Sequence, residues 1–97
     1  MYKPLPDSLT IHPSLIDGIG LFATEDIPAG TNLGISHVHV NGQRDNLVRT
    51  PLGGFINHSE EANCIKKKQY PNYYLVTLRD IKAGEELTLE YTFYELE

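Results

Sequence analysis

Apolar and polar residues alternate along much of this chain with a period of two, the pattern of strands with one buried face. Short strands are expected over Thr10–His12, Gly20–Ala23, Asn32–Val40, Tyr73–Leu78 and Glu86–Tyr91, where alternation or β-branched and aromatic side chains suit a pleated surface. Between them stand Ile-Asp-Gly-Ile-Gly, Ile-Pro-Ala-Gly, Val-Asn-Gly-Gln and Pro-Leu-Gly-Gly, turns whose glycines can take positive φ. No stretch carries a helical period, so the fold class is mainly β with little helix. Lys66-Lys67-Lys68, just before Pro71-Asn72, is the one charge block and reads as a solvated turn.

The pattern repeats once. Leu21 to Leu33 aligns with Leu75 to Leu87 through a shared frame: Leu, then Asp-Ile-x-Ala-Gly-x-x-Leu. Each copy reads as strand, tight turn with glycine at its exit, strand. Pro28 and Lys82 share the turn position where a φ near −65° is wanted. A pseudo-symmetric pair of hairpins framing the central segment is expected.

Size and charge narrow the function. Ninety-seven residues fit one small domain, 1–97, and are too few for a doubly wound nucleotide fold. A single cysteine excludes an internal disulfide framework and the usual structural zinc sites. Eight basic against thirteen acidic residues give a net charge of −5. That balance argues against coating a nucleic acid and suits a cationic partner. No apolar run reaches the roughly 20 residues of a membrane span, and no signal peptide opens the chain, so a soluble intracellular protein is expected.

The central segment from Gly53 to Cys64 begins apolar and turns abruptly polar at Asn57-His58-Ser59. It has no G-x-S-x-G elbow, which makes acyl transfer a poor reading. His37-Val38-His39 puts two imidazoles on one face of an expected strand, and His12 or His58 could join them. The spacing matches no metal motif, so no metal is assigned.

Three blocks, in order, resemble the SET-domain family of protein lysine methyltransferases. They are Gly18-Ile19-Gly20-Leu21-Phe22-Ala23, then Phe55-Ile56-Asn57-His58-Ser59 with Asn63-Cys64, then Arg79-Asp80-Ile81 through Gly84-Glu85-Glu86-Leu87-Thr88 to Tyr91. The resemblance implies a β-clip of small curved sheets with a pseudoknot-like C-terminal threading. It implies S-adenosyl-L-methionine as methyl donor and the ε-amine of a protein lysine as acceptor. Backbone around Gly18, Ile19, Gly20 and Leu21 would then hold the methionine and ribose side, and Asn57 and His58 the methionyl amine and adenine. Tyr91 would be the catalytic tyrosine beside the cofactor. Ile56, Phe93 and Tyr94 would line the substrate lysine channel.

The chemistry suits such residues. A lysine with a reference pKa of about 10.4 is deprotonated in only about one molecule in 2,500 at pH 7. An aromatic channel desolvates the ammonium and lowers that pKa. The Tyr91 hydroxyl can align the amine, and carbonyls such as those near Ile56 can accept weak C–H···O bonds from a polarised methyl.

Departures from the family pattern shape the expectation further. Glu60 stands where the family often has a zinc-binding cysteine, so no zinc-binding post-SET cap is expected, and no pre-SET region. Cys64 reads as a plain buried thiol. The insert at about 41–51 is very short. What remains resembles minimal viral SET proteins, which makes a homodimer an expected way to rebuild the groove. Glu85, Glu86, Glu90, Glu95 and Glu97 favour a basic peptide such as a histone tail as partner, with no nucleic acid and no membrane. The rival class is a non-catalytic SET-like module that binds a basic peptide or small ligand.

Overall fold

The computed structural model describes residues 5–39 and 47–90. In chain order its elements are β1 (Leu9–Pro13), β2 (Ile19–Ala23), β3 (Asn32–His39), β4 (Leu47–Arg49), α1 (Pro51–Gly54), β5 (Asn57–His58), β6 (Cys64–Gln69), β7 (Asn72–Thr77) and β8 (Glu86–Leu89). In β7 the alternation is explicit: Tyr73, Leu75 and Thr77 are buried, while Asn72, Tyr74 and Val76 are half-buried on the other face. The strands form one curled, mixed sheet in the order β1-β2-β8-β6-β7-β3-β4, with β5 beside β8. Leu21, Ile56, Leu75, Ile81 and Leu87 sit at its centre, each 2% exposed or less.

Sequence alternation finds β1, β2, β3, β7 and β8, but β6 corrects one expectation. The lysine block is not a turn. Its residues pair antiparallel with β7, from Cys64 opposite Thr77 to Gln69 opposite Asn72. Lys66 Nζ lies 4.8 Å from the centroid of the Tyr73 ring and Lys68 Nζ 5.7 Å from that of Tyr70. Long lysine stems can cover an aromatic surface while their charges stay in water, so the strand survives its polar sequence. The Pro-Leu-Gly-Gly turn is likewise a single turn of helix, α1. Thr50 caps it, its Oγ1 accepting from Gly53 N at 3.4 Å, and Pro51 occupies the first helical position.

The internal repeat is real in three dimensions, but its arms are not hairpins. β2 does not pair with β3, nor β7 with β8. Instead β2 pairs with β8, and β3 with β7. Each strand leaving one turn therefore pairs with the strand entering the other. The turns clasp each other through an antiparallel bridge in which Ile27 N donates to Ile81 O and Ile81 N to Ile27 O, both at 2.8 Å. Around it two further bonds of each turn have a counterpart in the other. Ala29 N donates to Asp80 Oδ1 at 2.8 Å and Ala83 N to Asp26 Oδ1 at 2.9 Å. Gly30 N donates to Thr77 O at 2.8 Å and Gly84 N to Ala23 O at 2.7 Å. Gly30 and Gly84 have φ of 80° and 88°, the left-handed region that explains the glycine in each copy. The hairpin expectation failed because sequence spacing shows that two turns are alike but not which strands they join.

This exchange threads the C-terminal strand through the molecule. β8 lies antiparallel to β2, with Leu87 opposite Leu21, and parallel to β5, with Thr88 opposite Asn57. All three sequence blocks thus meet on one strand, in the crossing expected for a SET-type β-clip.

Candidate active site

The meeting point is held by Glu86. Its Oε2 accepts from Asn57 Nδ2 at 2.9 Å, and Ser14 Oγ lies 2.9 Å from both carboxylate oxygens. Ser14 Oγ also accepts from Ile16 N at 2.9 Å, which shapes the loop leading into β2. Gly20 shows why this block needs glycine: a Cβ there would lie 2.2 Å from Glu86 Oε2 and 3.1 Å from Asn57 Nδ2. Glu86 from the third block therefore ties the glycine segment of the first to the asparagine of the second.

The same bracket sets the chemistry that Asn57 presents. Its Nδ2 faces three acceptors: Glu86 Oε2, Ser14 Oγ at 3.1 Å and Asp17 O at 3.1 Å. A carboxylate and a carbonyl can only accept, so the amide nitrogen must point inward. Oδ1 then points the other way, and no described residue donates to it. It stays available to a donor such as an ammonium group.

Beside it opens a cleft of about 450 Å³ lined by Ile16, Asp17, Arg49, Gly54, Ile56, Asn57 and His58. Asp17 and Arg49 are exposed, and among the described residues Arg49 has no carboxylate partner. At Gly54 the space where a Cβ would stand is open. A larger residue there would extend into the cleft. Two cleft residues were expected as cofactor contacts, Asn57 and His58, and a third, Ile56, as part of the channel. His58 is exposed and pairs with Leu89, whereas Ile56 is 2% exposed.

The glycine block is not among the residues that line this cleft. Leu21 is fully buried, Gly20 backs onto Glu86, and Ile19 is half exposed. Gly18, with φ of 45°, has open space around its Cβ position. Ser14, Ile16, Asp17, Arg49, Gly54 and Glu86 were missed by sequence reasoning. The close approach at Gly20 is the one signal that could have pointed to Glu86, and it is visible only once the register is known. Tyr91, Phe93 and Tyr94 lie outside the described residues, as does the 41–46 part of the short insert.

The other polar residues of the blocks are tied to the scaffold. Asn63 is 3% exposed, donating to Glu86 O at 2.9 Å and accepting from Thr88 N at 2.8 Å, and so completes the edge of β8. Glu85 pairs with Arg79 and accepts from Lys82 N at 3.0 Å. The Arg79 guanidinium holds its carboxyl below the ordinary carboxylate value. Burial pushes the Cys64 thiol up to about 12, so it stays protonated at neutral pH. His37 and His39 do share a face, with ring centroids 6.2 and 5.5 Å from that of Tyr73, but the His12 ring rests on Phe22 instead. No group of three His, Cys, Asp or Glu side chains able to hold a metal occurs among the described residues.

A second cleft, of about 420 Å³, is lined by apolar Cys64, Ile65, Leu78 and Leu89, with three acidic residues, Glu60, Glu61 and Glu90, against one basic residue, Lys66. No described helix is long and apolar enough to cross a membrane.

The fold defines the class first. The methyltransferase domain of human PR domain-containing protein 2 matches it with a TM-score of 0.75 at 22% identity, over 96% of this chain and 82% of that one. A Plasmodium falciparum protein described as a candidate histone methyltransferase gives 0.71 at 16% identity, over 93% and 97%. The SET domain of the RIZ1 tumor suppressor gives 0.70 at 21% identity, over 95% and 74%. At such identities the likeness is one of fold. No curated protein matches the chain in sequence. Residues 37–92, more than half the chain, match the SET domain family, and the chain belongs to it. SET domains are typically S-adenosylmethionine-dependent protein lysine methyltransferases.

Proposed function

We propose that this chain methylates the ε-amine of lysine in a protein, with S-adenosyl-L-methionine as donor. The observation that carries the reading is Glu86, which binds Asn57 and Ser14 and packs against Gly20, so that all three sequence blocks meet beside an open cleft. The cleft residues fit the cofactor's chemistry. Asn57 offers an acceptor, Gly54 adds no side chain to the lining, and Asp17 and Arg49 bring one acidic and one basic side chain to it. When bound, S-adenosylmethionine supplies a methyl group on a sulfonium centre.

The protein's own part is positioning and desolvation. Asn57 Oδ1 accepts from the methionyl ammonium, its orientation fixed by Glu86 and Ser14. The backbone of Gly18, Ile19, Gly20 and Leu21, which continues from the cleft-lining Asp17, and the exposed strand at His58 would complete the cofactor contacts. Tyr91, which directly follows Glu90 in sequence, would hold the substrate amine, and Ile56, Phe93 and Tyr94 would supply the channel that strips water from the ammonium. The substrate is a basic segment such as a histone tail, for which the acid-rimmed cleft ending at Glu90 offers complementary charge. In this reading residues 1–97 act as one minimal SET domain, and a second copy supplies the groove wall that the short 41–51 segment leaves out.

Incubation with labelled S-adenosylmethionine and a panel of basic proteins, followed by mass mapping, tests the activity. Modified lysines are expected. Tyr91→Phe should lower transfer about 100-fold while cofactor affinity changes less than about 3-fold. Full activity in that variant would remove Tyr91 from the mechanism. No transfer and no saturable heat on titration with S-adenosylmethionine would replace the enzyme by a binding module.

A further inference from the structure

We infer that Arg49 is the positioning residue for the α-carboxylate of the cofactor's amino-acid end, so that the cleft recognises a zwitterion rather than a nucleoside alone. The inference rests on the function proposed above. Three observations lead to it.

The first is placement. Arg49 is the register partner of His37 on β3. Directly opposed residues of an antiparallel pair project from the same face of the sheet. The His37 ring faces α1, its Cε1 lying 3.0 Å from where a Cβ of Gly53 would stand. Arg49 therefore leaves the sheet on the face that α1 covers, where the cleft lies beside Gly54. The next residue locks this corner: Thr50 Oγ1 donates to Ile35 O at 2.7 Å, and Thr50 N to Ser36 O at 2.9 Å. A long side chain rooted in so fixed a backbone gives up less freedom on binding than one in a loop.

The second is charge. Among the described lining residues Arg49 is the one arginine or lysine, and no described carboxylate neutralises it. Asp17 is the acidic lining residue. Its carbonyl accepts from Asn57 Nδ2 at 3.1 Å, which keeps its backbone on the Asn57 side.

The third is the division of labour that Asn57 imposes. With its Nδ2 spent on internal acceptors, Asn57 has only an acceptor left to offer. It can bind an ammonium but not a carboxylate. An α-amino acid end brings both groups, and a carboxylate calls for a donor. A guanidinium provides two parallel N–H donors in the geometry a carboxylate accepts. Acceptor and donor thus face the two charges of one ligand from different elements, β5 and β4.

The test compares S-adenosylmethionine with decarboxylated S-adenosylmethionine, which keeps the sulfonium and amine but lacks the carboxylate. Both are titrated calorimetrically into the full chain, wild type, R49Q and R49K. R49Q should bind S-adenosylmethionine about 10- to 100-fold more weakly, the value of a charge-assisted pair. Its affinity for the decarboxylated ligand should stay within about 2-fold of wild type. R49K, which keeps charge without the fork, should fall between the two for S-adenosylmethionine. An unchanged melting temperature checks that the edge strand is intact, and R49K carries the test if R49Q melts early. Equal weakening toward both ligands, or none toward either, would overturn the role of Arg49 while leaving the cofactor reading in place. A wild-type chain that binds neither ligand would remove the proposed function itself, and this inference with it.

Discussion

The clasp of the two turns and the bracket at Glu86 use the same materials to different ends. Both tie distant segments together through carboxylates, amides and glycines. In the clasp the carboxylate of each turn accepts from the backbone of the other, Asp26 from Ala83 and Asp80 from Ala29, and the result is closed on itself. In the bracket the bonding is lopsided. Glu86 and Ser14 consume the amide nitrogen of Asn57, a cleft-lining residue, and no described residue donates to its Oδ1. Hydrogen bonds that close symmetrically hold a fold, because nothing remains to offer a ligand. A residue fixed on one side and open on the other is pre-organised for binding.

The largest separation between the two should come from the centre of the clasp. Ile81 is fully buried, and its backbone forms the bridge to Ile27. Ile81→Ala removes packed volume where the surroundings are pinned by hydrogen bonds, a cost of about 2–5 kcal/mol. For a chain of this size that means a melting temperature lower by about 10 °C or more. Cofactor affinity of the remaining folded protein should not change. Denaturant titration and calorimetry measure the two effects separately, and a matching loss of affinity would show that clasp and site are one unit.

Glu86→Ala should do the reverse. Loss of a charge-assisted acceptor costs about 1–3 kcal/mol of stability, less than the clasp change at its upper end. The larger consequence is at the ligand. Without Glu86, nothing charged holds Nδ2 inward, and Asn57 can turn its amide group toward the cleft. Affinity for S-adenosylmethionine should fall about 10-fold or more, a value set by the same class of bond. Unchanged affinity would mean that Asn57 keeps its orientation through Ser14 and Asp17 alone.

Much of this was legible in the sequence, for definite reasons. The alternation of Tyr73, Leu75 and Thr77 announces β7 because one face of that strand is buried. The repeated Asp-Ile-x-Ala-Gly frame announces the turns because each needs its glycine at positive φ. β6 was illegible because Cys64 alone among its residues is buried, and its lysines lean on aromatic rings rather than forming an apolar face. β4, β5 and α1 are too short to carry any period. Asn57 and His58 could be named from their motif. Glu86 could not: its role follows from Phe22 standing opposite it in the register of β2 with β8, which brings its carboxylate against Gly20. Arg49 entered through the edge strand that sequence did not show.

The smallest effect belongs to the residue next in line, and it makes the contrast sharpest. Glu85 and Glu86 are identical in type and adjacent, yet Glu85 faces Arg79 at the surface and Glu86 faces Asn57 at the cleft. The Arg79 side chain is 56% exposed and that of Glu85 27%, so solvent screens their attraction. Glu85→Gln should shift the melting temperature by less than about 4 °C near pH 7 and leave cofactor affinity unchanged. The pH dependence has a definite sign. Hydrogen bonding to Arg79 lowers the folded-state pKa of Glu85, so the folded protein releases this proton more readily than the unfolded chain. The stabilisation is present above the unfolded value of about 4.3 and is lost as pH falls through the lower folded value. Wild type and Glu85→Gln should therefore differ slightly at pH 7 and converge in acid. A gap that widens below pH 4, or any loss of cofactor binding, would place Glu85 with the site instead of the scaffold.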